Sequence, residues 1–201
     1  IETNQDRYLC RYLIGADGVH SIIAHQIGLI QKRSTSLAYE ALMTYPTNPA
    51  DFDEESVTFD FGTILLGYGW VFPKRDYLNI GVCRSWPGKS ASKRHLLRFI
   101  DQHPALHRDR IINIRAYPVP LGGDKTKLHH NHILLAGDAA NLADPWLGEG
   151  LFYAFASGRM AAEVIRQHAS GTIPDLAEYS LQVNQQITRQ FTYARRLSLL
   201  V

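Results

Sequence analysis

The residues best suited to chemistry sit in glycine–aspartate segments. The stronger is Leu134-Leu135-Ala136-Gly137-Asp138-Ala139-Ala140, followed by Asp144-Pro145-Trp146-Leu147-Gly148-Glu149-Gly150. An aspartate at the carboxyl end of a short apolar strand stands where open α/β sheets bind ligands, and its oxygens accept hydrogen bonds from hydroxyls. The Gly148-Glu149-Gly150 turn opens a helix predicted over Leu151 to His168. Such a helix aims free N–H groups and roughly half a positive charge at whatever precedes it. Ala154, Gly158 and Ala162 read as one small face for close packing against the layer. An ordinary buried helix accounts for that face, but not for pairing Gly-Asp-Ala-Ala with Pro-x-x-Gly-x-Gly at this distance.

A second segment is Leu13-Ile14-Gly15-Ala16-Asp17-Gly18-Val19-His20-Ser21. Its glycines let the backbone turn sharply and approach a ligand. Asp17 serves equally as a ligand for hydroxyls or as the cap of the next helix. The third is Gly67-Tyr68-Gly69-Trp70-Val71-Phe72-Pro73, with Gly81 eight positions after the proline. A strand's period of two puts Tyr68, Trp70 and Phe72 on one face, as sheet core or as the wall of an apolar ligand site. His129, His130 and His132 lack carboxylate or cysteine partners at ligand spacing and read as a polar loop, so no metal is expected. Lys74 and Arg75 read as a solvated hairpin turn, and His20 has no evident task.

The elements that must hold these groups follow from the apolar pattern. Strands are predicted over Tyr8 to Ile14, Leu37 to Tyr45, Ser56 to Phe61, Tyr68 to Pro73, Tyr77 to Arg84, Ile111 to Tyr117 and Ile133 to Ala136. Thr47 to Glu55 reads as a loop, and Pro118, Pro120, Gly122 and Gly123 as another. Helices are predicted over Ser21 to Gly28, over Ser90 to Gln102 with Ser90 as cap, and over Leu151 to His168. Leu176, Tyr179, Val183, Ile187, Phe191, Ala194 and Leu197 mark a final amphipathic helix. The order gives an α/β (α+β) fold. Residues 1–33 and 121–201 belong to one α/β layer with C-terminal helices, and an antiparallel β-sheet domain over 34–120 is inserted between them.

Composition narrows the function class. The 201 residues are 45% apolar and 20% charged, which excludes intrinsic disorder, and a net charge of +2 without basic–aromatic clusters excludes a nucleic-acid partner. Cys10 and Cys83 lie far apart, so a disulfide framework is not expected and a reducing compartment is. No membrane span or secretory signal is evident.

The two glycine–aspartate motifs resemble the flavin-contacting motifs of FAD-dependent reductases and monooxygenases related to para-hydroxybenzoate hydroxylase. Within that group, Tyr68-x-Trp70-x-Phe72-Pro73 followed by Gly81 is similar to a pattern of the geranylgeranyl reductases. The resemblance covers Leu13 to about His168. It implies that Asp138, with Gly137 and Ala139, holds the ribityl and ribose hydroxyls of FAD. It places Pro145, Gly148, Glu149 and Gly150 at the N1/C2-carbonyl edge of the flavin, and Gly15, Asp17 and Gly18 near the pyrophosphate and ribose. Tyr68, Trp70, Phe72, Pro73 and Gly81 then line the cavity for an isoprenoid chain.

The activity implied is reduction of prenyl double bonds in a lipid or pigment precursor, with NADPH or ferredoxin as reductant. The implied setting is the cytoplasm, with transient contact at a membrane surface through Leu176 to Val201; packing of that helix on the protein's own core is the simpler expectation. The family's opening Gly-x-Gly-x-x-Gly does not occur in this chain, so the chain reads as part of a longer enzyme. Two alternatives stand beside this. One is a flavin-dependent monooxygenase or halogenase, whose Trp-x-Trp-x-Ile-Pro stretch differs at Tyr68 and Phe72; the other is a non-catalytic module for apolar ligands.

Overall fold

A computed structural model describes residues 1–29, 34–47, 53, 55–84 and 90–198. Most of the loop predicted over 47–55, and residues 199–201, lie outside the described residues. In chain order the first elements are β1 (Leu13–Gly15), α1 (Ile22–Gln26), β2 (Ser34–Met43), β3 (Thr58–Asp60), β4 (Gly67–Pro73) and β5 (Leu78–Arg84). Then come α2 (Lys93–Asp101), β6 (Ile111–Leu121), β7 (His129–His130), β8 (Ile133–Leu135), α3 (Leu151–Ala169), α4 (Ala177–Val183) and α5 (Arg189–Leu197). The fold is α/β, and it divides into two compact units.

The α/β unit comprises Ile1–Arg33, Gly122–Asp144 and Glu149–Tyr193. β1 and β8 pair in parallel, Leu13 opposite Ile133 and Gly15 opposite Leu135, with β7 antiparallel on the far side of β8. Leu134 and Leu135 are fully buried in one cluster with Ala161 and Val164 of α3 and with Tyr179, Val183, Ile187 and Phe191. That apolar stripe keeps helical spacing across α4, a π-helical turn at Asn184–Thr188 and α5. The Tyr179 hydroxyl donates to the Leu135 carbonyl at 2.6 Å, satisfying the end of β8. Ser21 caps α1, and Gly28 (φ +70°) and Gly171 (φ +75°) stand just past the ends of α1 and α3 in the left-handed region that glycine tolerates.

The sheet unit comprises Ser34–Leu121, Pro145–Gly148 and Ala194–Val201. Its antiparallel strands run β3-β4-β5-β2-β6. One face buries Ala41, Met43, Val71, Leu78, Ile80 and Val82 with Leu96, Phe99 and Ile100 of α2. A Cβ on Gly69 would lie 2.2 Å from the Phe99 ring, so glycine there lets α2 press directly onto β4. The other face carries Tyr68, Trp70 and Phe72.

Several sequence expectations are corrected. The first strand is three residues, not seven, because β8 offers only three partners; Tyr8 and Leu9 are exposed, and residues 1–8 fold on themselves through a Glu2–Arg7 bridge. β6 continues through Pro118 and Pro120. It is an edge strand paired with β2 alone, so amides missing on its outer side break no ladder. Ser92, not Ser90, caps α2, its hydroxyl accepting from the His95 amide, while the Ser90 hydroxyl accepts from the Leu37 amide. His129 and His130 form a strand rather than a loop, with His129 Nδ1 2.7 Å from Ser180 Oγ. The small face of α3 is not its packed face: Ser157, Ala161 and Val164 are buried, whereas Ala154 and Ala162 are exposed. Among the described residues no helix is long and apolar enough to cross a membrane, and no group of histidine, cysteine and acidic side chains can hold a metal ion.

Candidate functional site

In the α/β unit the first turn is built by close approach. A Cβ on Gly15 would lie 2.9 Å from both Ile23 and Leu135, so α1 packs where a side chain cannot fit. Gly18 takes φ +81°. The Asp17 carboxylate accepts from Ser21 Oγ at 2.5 Å and from the Ile22 and Ile23 amides at 2.8 and 3.2 Å. Burial pushes this carboxyl upward, but the combined hydrogen bonds hold it below the ordinary range. Of the two roles left open by its spacing, Asp17 fills the capping one in this structure.

The second turn holds Asp138 differently. After β8 the chain enters a 3-10 turn, Gly137–Ala140, at Gly137 with φ +57°. The Gly137 amide donates to Ser157 Oγ at 2.9 Å, and a Cβ there would lie 3.1 Å from that of Ala154, so the turn sits directly on α3. Ala139 is fully buried. Asp138 is half-buried, and among the described residues no side chain or amide donates to its carboxylate. Burial without a compensating partner raises its pKa. Its Oδ1 lies 3.2 Å from where a Cβ on Gly150 would stand, so glycine keeps the space between the carboxylate and the start of α3 open.

The helix start is ordered by its own residues. The Asp144 amide donates to the Glu149 carbonyl at 2.7 Å, and Glu149 Oε1 accepts from the Phe152 amide at 2.9 Å. Gly150 is the N-cap. The Gly150, Leu151 and Tyr153 amides meet no acceptor among the described residues. Unpaired amides at the positive end of a 19-residue helix, beside an unpartnered carboxylate, offer donors and an acceptor to a ligand bearing both hydroxyls and a polar ring edge.

In the sheet unit the aromatic residues form one continuous face. Ring centroids are 5.7 Å apart for Tyr68–Trp70 and 6.1 Å for Trp70–Phe72. Phe59 joins Phe72 at 5.2 Å and Tyr68 at 6.0 Å, and Phe61 joins Tyr68 at 5.9 Å and Trp146 at 6.2 Å. Gly81 faces Trp70 across the ladder, and a Cβ there would fall 2.0 Å from the indole, so its role is to admit that ring. Trp70 Nε1 donates to Asn79 Oδ1 at 2.7 Å, and Asn79 Nδ2 donates to Glu40 Oε2 at 3.0 Å, which fixes the indole. Pro73 ends β4 opposite Leu78. Pro145 and Gly148 lie in the loop grouped with this unit, where the Tyr68 hydroxyl donates to the Leu147 carbonyl.

Thus Gly15, Gly137, Asp138, Ala139, Glu149 and Gly150 lie at the turns of the α/β unit, and, within the sheet unit, Tyr68, Trp70, Phe72 and Gly81 lie together at the aromatic face. Sequence reasoning missed Ser157, Asn79 and the extension of the aromatic face to Phe59, Phe61 and Trp146. A polar Asn79 between Leu78 and Ile80 was the available signal for its link to Trp70. Nothing local marks Ser157.

No protein-family model matches the chain. It is 32% identical over 155 residues to a geranylgeranyl diphosphate reductase of Rhodobacter capsulatus, covering 76% of this chain and 39% of that protein. It is 33% identical over 165 residues to a digeranylgeranylglycerophospholipid reductase of Thermoplasma acidophilum, covering 78% of this chain and 41% of the relative. Among solved structures, a geranylgeranyl bacteriochlorophyll reductase-like protein from Thermoplasma acidophilum superposes with a TM-score of 0.77 at 23% identity, over 94% of this chain and 50% of that one. The chain therefore spans half or less of the length of these relatives. On shared sequence, fold and motifs, it belongs to the geranylgeranyl reductase family of FAD-dependent oxidoreductases.

Proposed function

We propose that the chain carries the flavin-side and prenyl-side residues of an enzyme that saturates prenyl double bonds in an isoprenoid lipid or pigment precursor. The observation that carries this reading is Asp138: a half-buried carboxylate with no protein donor, beside unpaired amides at the start of α3. Burial of an acid without partners costs stability, and hydroxyl donors from a ligand relieve that cost. The ribityl chain of FAD supplies such donors, and bound FAD supplies hydride chemistry for a carbon–carbon double bond. The Gly150 and Leu151 amides, with the positive end of α3, stabilise negative charge placed before them. Gly148 and Glu149 shape the approach to those amides, and Gly15, Asp17 and Gly18 form the turn beside the nucleotide. No residue here is assigned to the pyrophosphate.

Phe59, Phe61, Tyr68, Trp70 and Phe72 give a polyene without polar groups a broad apolar surface. Both named relatives carry a geranylgeranyl group in their names, which supports a prenyl substrate. NADPH or a ferredoxin as electron source, and cytoplasmic work at a membrane surface, belong to the same proposal. The apolar face from Leu176 to Phe191 is committed to the core, so it does not supply the membrane contact.

The test is titration of the chain with FAD, followed by flavin fluorescence, with Asp138→Asn alongside. Dithionite reduction in the presence of geranylgeranyl diphosphate, with mass spectrometry of the lipid, then asks for the activity. Binding that Asp138→Asn weakens, with a saturated prenyl product, is expected. FAD binding indifferent to Asp138 refutes the site, and oxygen-dependent hydroxylation or halide incorporation refutes the reaction.

A further inference from the structure

The loop Pro145–Gly148 groups with the sheet unit, not with the α/β unit that follows it in sequence. Contacts to the aromatic face hold it. The Tyr68 hydroxyl donates to the Leu147 carbonyl, and the Phe61 ring, itself 5.9 Å from Tyr68, lies 6.2 Å from Trp146. Tyr68 is 7% exposed, so this hydroxyl has little access to competing water. A Cβ on Gly148, at φ +67°, would lie 3.8 Å from the same hydroxyl, so the loop backbone passes directly over it.

The Leu147 carbonyl and the Gly148 N–H belong to one planar peptide group and point in opposite directions. Fixing the carbonyl on Tyr68 therefore fixes the direction of the Gly148 N–H. A carbonyl that accepts a hydrogen bond also polarises its own peptide, which makes the N–H a stronger donor. A phenylalanine in place of Tyr68 would pack as well in an aromatic row but could do neither. The phenol oxygen thus links the aromatic wall to the Leu147–Gly148 backbone.

We infer that Tyr68 is a positioning residue that couples occupancy of the aromatic face to the orientation and donor strength of the Gly148 amide. An apolar chain laid on Tyr68, Trp70 and Phe72 shifts the Tyr68 ring, and the hydroxyl carries that shift to the Leu147–Gly148 peptide. The coupling rests on the prenyl reading of this face given above; the tether itself does not.

Amide-resolved NMR on the full 201-residue chain tests both, with geranylgeraniol as the probe. Without ligand, Tyr68→Phe is expected to move the 15N and amide-proton resonances of Gly148, while α2 amides stay unchanged. On adding geranylgeraniol to saturation, followed at the Trp70 indole N–H, the wild-type Gly148 resonance moves and that of Tyr68→Phe stays still. A merely structural role for Tyr68 leaves the ligand-induced shift intact. A ligand-free Gly148 resonance unmoved by the substitution overturns the tether, and a ligand-induced shift that survives Tyr68→Phe overturns the coupling. If the wild-type chain does not bind geranylgeraniol, the prenyl reading falls and the coupling with it, while the ligand-free comparison still decides the tether.

Discussion

Gly81→Ala asks whether the aromatic face depends on a single missing methyl group. A Cβ at this position would stand 2.0, 2.4 and 2.5 Å from three atoms of the Trp70 indole, where carbon atoms normally rest about 3.5–4.0 Å apart. β5 lies inside the sheet between β4 and β2, so the backbone cannot retreat, and the indole must swing away. Overpacking of this kind costs about 1–3 kcal/mol. Swinging also breaks the 2.7 Å bond from Trp70 to Asn79, worth about 1 kcal/mol more. The sum is about 2–4 kcal/mol, a fall in Tm on the order of 10 °C for a chain of this size. Thermal unfolding followed by circular dichroism measures it, and tryptophan emission reports the displaced ring. The decisive control is the same substitution in a Trp70→Leu background. There the methyl meets no indole, and the gain in chain stiffness over glycine makes the change nearly neutral. An equal loss in both backgrounds would place the cost in the backbone and refute the argument, as would an unchanged Tm in Gly81→Ala alone.

Asp138→Asn is expected to weaken FAD binding about tenfold or more in fluorescence titration, because charge-assisted bonds to ligand hydroxyls become neutral ones. The same substitution has a pH signature. Burial raises the folded-state pKa of Asp138 above the ordinary 3.8, so the native fold prefers its protonated form, and stability falls as pH rises through that raised value. The variant should match wild type in acid and exceed it in Tm at neutral pH; a difference independent of pH argues against an unpartnered carboxylate. Gly137→Ala places a side chain at φ +57° and a methyl 3.1 Å from Ala154, which should cost about 1–2 kcal/mol in urea unfolding and reduce flavin affinity. Phe191→Ala removes a fully buried ring that lies 4.6 Å from Tyr153, and a loss of about 3–5 kcal/mol in the same assay is expected.

What the sequence makes legible here is local, and what it hides is set by partners distant in the chain. The glycine stops after α1 and α3 and the alternation of Tyr68, Trp70 and Phe72 follow from rules that act within a few residues. The length of β1 does not, because its parallel partner β8, more than a hundred residues away, ends the pairing at Gly15. Pro118 and Pro120 look like strand breakers until β6 is known to be an edge. Ser90 and Ser92 are equivalent caps on paper; the Leu37 amide, fifty-three residues upstream of Ser90, claims one and leaves the other for α2. On α3, periodicity shows that Ala154, Gly158 and Ala162 share a face, but only the position of Leu134 and Leu135 decides that Ser157, Ala161 and Val164 point inward. Asp17 and Asp138 make the same point at the level of chemistry. Both follow a short strand and a glycine, and a sequence rule reads them alike. Asp17 is followed by Ser21, Ile22 and Ile23, whose donors satisfy it. Asp138 lies within a 3-10 turn whose amides point elsewhere, so among the described residues its carboxylate has no protein donor. The difference between a satisfied acid and an unpartnered one lies in which donors the neighbouring residues present, and that is decided by whether the chain there forms a helix or a turn.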